Sequence, residues 1–215
     1  MTHRARIIIL VGLLLGAVVA FVAIDRVTRP DPALTPDRVG AELMADLSYG
    51  PAAEGANELD VYLPADRTGE VPAVIWIHGG GWANGDKRET MPVWNWTDRG
   101  VAVVSVNYRL TGDGVLLADT VADVHSAVAY VLREAPGWGI DEDRIVVYGH
   151  SAGGHLATLV GVTDAPVAAV VAAGAPMDLV ALVDPALPSF VGFVGAEAPR
   201  FTADALGCDA LGDEC

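Results

Sequence analysis

Gly149-His150-Ser151-Ala152-Gly153 decides how the rest of this chain is read. The pattern G-x-S-x-G suits a sharp turn from a strand into a helix, where glycines avoid clashes and the serine hydroxyl is left exposed. Residues 144–148 before it form a short apolar run fit for a buried strand. Residues 151–162 after it begin with small side chains and read as a helix. A serine hydroxyl is a poor nucleophile at neutral pH and needs a base, usually a histidine oriented by a carboxylate. Only one histidine follows Ser151, and it is His155, one helical turn away. The competing reading of Ser151 is a helix N-cap, a site serine favours.

A second motif weighs against the cap. His78-Gly79-Gly80-Gly81-Trp82 follows residues 71–77, a nearly continuous apolar run expected as a strand buried on both faces. Acyl transfer builds negative charge on the former carbonyl oxygen, and fixed backbone N–H groups stabilise it. Glycines let the main chain approach that oxygen unobstructed. A phosphate-binding loop is the competing reading, but no Lys-Ser/Thr follows and the spacing fits no nucleotide fingerprint.

Around these motifs, strands and helices alternate. Residues 58–63 alternate in strand fashion, and 101–106 and 167–173 read as buried strands. Residues 115–135 carry Leu117, Val121, Val124, Val128 and Val131 at helical spacing. This order predicts an α/β fold with a mostly parallel sheet covered by helices on both faces. Past Met177 the pattern gives way to Pro- and Gly-rich segments.

Composition narrows the function classes. A chain of 215 residues, 52% of them hydrophobic, suits one globular domain. Its net charge of −15 excludes nucleic acid and anionic lipid as expected partners. Residues 7–24 run without a charge after Arg4 and Arg6, about enough to cross a bilayer as a helix. An uncleaved anchor is expected over residues 1–28, with a signal cleaved near Val18-Val19-Ala20 as the alternative. Either exports the remainder: a linker over 29–45, then a domain over 46–215. In an oxidising compartment Cys208 and Cys215 could close a short disulfide loop. No metal site is expected from them.

Together the motifs resemble the α/β-hydrolase family, in particular its carboxylesterase branch related to hormone-sensitive lipase and arylformamidase. The resemblance runs from about Leu59 to Asp178, through 59–64, 78–82, Asn107-Tyr108-Arg109-Leu110 and 149–157. It implies that Ser151 is the nucleophile and that Gly80, Gly81 and Ala152 supply the oxyanion donors. His78, Gly79, Trp82, Gly149 and Gly153 support the two motifs. It also implies hydrolysis of small carboxylic esters, sometimes amides, without metal or organic cofactor. Members of the branch place an aspartate and then a histidine on elements beyond the strand matching 167–173. No residue here inherits those roles, so a C-terminally incomplete esterase is expected, lacking the last strands and helix. The alternative is a catalytically silent, membrane-anchored binding or scaffold protein. Among local substitutes, His155 is expected to pack beside the elbow and His78 to brace the glycine loop. His150 should point away, and His125 should lie on a helix surface. Asp178 has no histidine to orient, and Asp60 and Asp123 read as surface or structural carboxylates.

Overall fold

A computed structural model describes residues 41–52, 55–89, 94–112, 114–163 and 165–179. The expected anchor, most of the linker, Cys208 and Cys215 lie outside the described residues. The described strands are β1 (Ala41–Ser48), β2 (Glu58–Pro64), β3 (Val71–Ile77), β4 (Ala102–Val106), β5 (Ile140–His150) and β6 (Ala169–Ala173). The described α-helices are α1 (Leu117–Trp138) and α2 (Ala152–Gly161), with a short 3-10 helix at Trp94–Arg99.

The strands form one sheet in the order β1-β2-β4-β3-β5-β6. β1 and β2 are antiparallel, as are β2 and β4, and the rest of the sheet is parallel. β3 and β4 are the continuous apolar runs of the sequence, and they occupy the sheet's centre because both their faces are covered. On one face Ile75, Ile77 and Val104 pack with Val128, Val131 and Leu156 of the two helices. On the other, Val74, Trp76 and Val103 pack with Tyr62, Trp96 and Tyr148. The crossover through α1 carries the chain from β4 past β3 to β5. The loops after β3 and β5 therefore meet at the carboxyl end of the sheet, where open α/β sheets place their ligands.

Three expectations need correction. The sheet begins at Ala41, inside the stretch assigned to a linker. The strand hides in the sequence because its alternation breaks at a bulge between Met44 and Leu47, where Asp46 has φ 55°. α1 runs three residues past Ala135, carrying Pro136 in its last turn, and stops at Gly139, whose φ of 75° gives a left-handed cap. β6 pairs with β5 but is not buried; Val171 is 43% exposed. Only one edge of β6 is paired among the described residues, so its apolar character does not translate into burial.

Candidate active site

Ser151 sits at φ 54° and ψ −122°, between the last residue of β5 and the first of α2. A non-glycine residue at positive φ costs about 1–3 kcal/mol, so the surroundings must enforce it. They do so by close backbone contact. A β-carbon on Gly149 would stand 2.0 Å from the Gly153 carbonyl oxygen, and one on Gly153 would stand 2.2 Å from that of Ile77. Both glycines are therefore required by space, and α2 is pressed directly onto the end of β3. The Ser151 N–H donates to the Ala173 carbonyl at 2.8 Å, and the Ser151 carbonyl accepts from the His155 N–H at 3.1 Å. Ser151 occupies the N-cap position of α2, but its side chain makes no capping hydrogen bond.

The loop after β3 arches against this turn. A β-carbon on Gly79 would lie 3.3 Å from the Ser151 Cβ. At Gly80, φ is 108° and a β-carbon would meet the Asn84 carbonyl oxygen at 2.0 Å. The Gly80 carbonyl closes the turn by accepting from the Asn84 N–H at 3.0 Å. Among the described residues, the N–H groups of Gly80, Gly81 and Ala152 have no backbone acceptor. They are donors left over beside a serine at a helix N-terminus, where the helix dipole adds positive potential.

His78 lies buried against this loop. It is 1% exposed, its Nδ1 lies 2.8 Å from the Gly79 carbonyl oxygen, and its ring stacks on Tyr108 with centroids 4.3 Å apart. The Tyr108 hydroxyl donates to the His78 carbonyl at 2.8 Å. Burial pushes the His78 imidazole down to about 4, so it is neutral at physiological pH. Trp82, the other end of the motif, meets His155 edge-on at 5.6 Å and 87°. Burial lowers the His155 pKa as well, and its Nδ1 has no hydrogen-bond partner among the described residues. His155 thus packs beside the elbow.

The two other described histidines are His150 and His125. His150 is exposed, with its Nδ1 3.4 Å from where a Gly79 β-carbon would be. His125 faces Thr163 Oγ1 at 3.4 Å on the protein surface. Asp178 is exposed beyond β6. The structure therefore brings Ser151, residues 78–82 and Ala152 together, and among the described residues no histidine side chain is hydrogen-bonded to the Ser151 side chain. Among the described residues no group of three or more histidine, cysteine or acidic side chains could hold a metal.

Asp60 and Asp123 are both structural, as read. Asp123 takes a two-pronged bond from Arg109, with Nε and a terminal nitrogen each at 2.8 Å. That pair holds residues 107–111, from which the Thr111 N–H donates to the Trp82 carbonyl at 2.9 Å. Tyr108 and Thr111 support the loop without having been singled out in the sequence. The only signal was the stretch Asn107-Tyr108-Arg109-Leu110, whose roles depend on long-range contacts.

The BD-FAE family model matches residues 59–184. Kynurenine formamidase of Danio rerio is 36% identical over 129 residues, which are 57% of this chain and 40% of that protein. Among solved structures, esterase B from Lactobacillus rhamnosis is 26% identical with a TM-score of 0.61, covering 79% of this chain and 58% of that one. A bacterial heroin esterase is 28% identical with a TM-score of 0.59, covering 85% and 58%. The chain spans less than half the length of the curated relatives it matches.

Proposed function

Because the chain belongs to the BD-FAE family, with carboxylesterases of the α/β-hydrolase fold as its relatives, we propose that it is the nucleophile-bearing part of a serine ester hydrolase. One observation carries this reading: Ser151 is held at positive φ beside a glycine loop in which, among the described residues, the Gly80 and Gly81 N–H groups have no backbone acceptor. In the proposed reaction the Ser151 Oγ attacks the carbonyl carbon of a small carboxylic ester, and a base takes its proton. Negative charge on the former carbonyl oxygen is met by the N–H groups of Gly80, Gly81 and Ala152. The tetrahedral adduct collapses, the base returns its proton to the departing alkoxide oxygen so that the neutral alcohol leaves, and an acyl-Ser151 remains for water to hydrolyse. Formamides and other amides are substrates of the same chemistry, in line with the formamidase relative.

Among the described residues, no histidine side chain is hydrogen-bonded to the Ser151 side chain. We propose that the base and its orienting carboxylate belong to protein outside these 215 residues, in a longer esterase of which this is a truncated form. The nucleotide sequence after Cys215, read in all frames, should encode a strand followed by aspartate and then histidine. Its absence there would count against this part of the reading. Residues 1–28 are proposed to anchor an exported domain to the membrane, which protease protection in membrane vesicles tests. No helix among the described residues is long and apolar enough to cross a membrane.

That no described histidine is hydrogen-bonded to the Ser151 side chain also favours a second reading, a silent binding protein retaining an ester-shaped site. Hydrolysis of p-nitrophenyl butyrate separates the two. The esterase reading expects turnover above background that disappears in Ser151→Ala; the binding reading expects no difference between the two proteins.

A further inference from the structure

Lys87, the chain's only lysine, lies at the return end of the glycine loop and is 3% exposed. Every hydrogen-bonding group it owns is engaged. Its N–H donates to Asn107 Oδ1 at 2.5 Å, and its carbonyl accepts from Ser105 Oγ at 2.6 Å. Its ammonium donates to Asp60 Oδ1 at 2.5 Å and to the Asp46 carboxylate. Burial works to deprotonate the amine, but the hydrogen bonds and charges of Asp46 and Asp60 keep its pKa above the ordinary lysine range. Asp60 is itself only 4% exposed and also accepts the Asp46 N–H at 2.9 Å. The left-handed bulge residue of β1 is therefore turned toward this charge. Two strands, β1 and β2, converge on the Lys87 side chain, and Ser105 of β4 holds the main chain of the same residue, in the loop that touches Ser151.

An ion pair this buried is a poor device for stability alone, since apolar packing of similar volume often does as well or better. What it supplies is direction: a buried ammonium must stay within reach of its carboxylates. Gly85, two residues earlier, is pressed so closely under His78 that a β-carbon there would lie 2.1 Å from His78 Nδ1. The return limb is thus fixed at Lys87 while its middle passes beneath His78. We propose that Lys87, through Asp60 and Asp46, is a positioning residue that sets the orientation of the Gly80 and Gly81 N–H groups over Ser151. This rests on the esterase reading for the purpose of those groups, though the anchoring itself does not.

The test uses the full 215-residue chain as wild type, Lys87→Met, Lys87→Arg, and the double variant Lys87→Met with Asp60→Leu. Hydrogen exchange is followed by mass spectrometry in peptides covering 78–87 and 149–161. Lys87→Met should speed exchange in 78–87 at least tenfold while 149–161 stays within twofold, and Lys87→Arg should restore most of the protection. The double variant removes both deeply buried charges, leaving Asp46, 68% exposed, to water. It should melt close to the wild type, with exchange in 78–87 still fast and labelling of Ser151 by a fluorophosphonate slowed at least tenfold. It also keeps the test open if Lys87→Met does not fold. Unchanged exchange in 78–87, an equal rise in both peptides, or full protection in the double variant overturns the proposal. If wild-type Ser151 takes no label while exchange behaves as stated, the esterase reading falls and the anchoring by Lys87 stands.

Discussion

The elbow at Ser151 and the glycine loop facing it are equally fixed, but by different physics. The elbow is held by main chain against main chain: Gly149 against Gly153, and Gly153 against the carbonyls of Ile77 and His78. The loop is held mainly by side chains brought from elsewhere, Tyr108 on His78, His155 against Trp82, and Asp60 and Asp46 on Lys87, with one main-chain bond from Thr111 to Trp82 added. Backbone contacts leave no room for any side chain, so they can be read from glycine spacing. Side-chain contacts depend on partners far away in sequence. The elbow should therefore respond to substitution all at once, and the loop by degrees.

The largest effect expected is at the elbow. Gly153→Ala forces a β-carbon against two carbonyl oxygens and should cost more than about 3 kcal/mol in urea unfolding, at the upper end for overpacking. If it costs under about 1 kcal/mol, the elbow is not held as described. The next largest lies in the loop and is read by pH. Burial holds His78 at about 4 in the folded chain against an ordinary 6.5. Between those values the unfolded chain binds the extra proton, so stability present above pH 6.5 is lost as pH falls toward 4. The loss amounts to about 3 kcal/mol. His155, also held low by burial, adds in the same direction. Denaturant midpoints from pH 7 to pH 4 should show this, and His78→Gln should flatten the slope.

Smaller effects follow from single contacts in the loop. Tyr108→Phe removes the donor to the His78 carbonyl and should cost about 1–2 kcal/mol. Gly81 has φ 62° and open space around the position of a β-carbon. Gly81→Ala should therefore cost only about 1–2 kcal/mol, the strain of the left-handed backbone. Reaction at Ser151 should fall far more than stability does, about tenfold or beyond, because that strain displaces a donor. A Gly81→Ala protein with ordinary reactivity would show that this N–H has no part in the chemistry.

The parts of the molecule legible in the sequence are those with local causes. β3 and β4 announce themselves as nearly continuous apolar runs, α1 as a repeating stripe, and the elbow as glycines flanking a serine. β1 was not legible, because its bulge at Asp46 breaks the alternation that marks a strand. β6 was legible as a strand but not as an open one, since exposure depends on what lies beside it. In the site, Ser151 and residues 78–82 could be named from spacing. The roles of Lys87, Tyr108 and Thr111 could not, because each acts through a partner on another element. Lys87 offered one hint, as the sole lysine of an acidic chain, but its two carboxylates lie 41 and 27 positions away.

The role proposed for Ser151 is that of a nucleophile facing the glycine loop, with its base and orienting carboxylate supplied from elsewhere. Fluorophosphonate labelling of the purified chain, with and without added imidazole and read by peptide mass spectrometry, addresses it directly. The account predicts a label on Ser151 that forms slowly alone, faster with imidazole as an external base, and not at all in Ser151→Ala. An unlabelled Ser151 under both conditions, or the same labelling in Ser151→Ala, would contradict it.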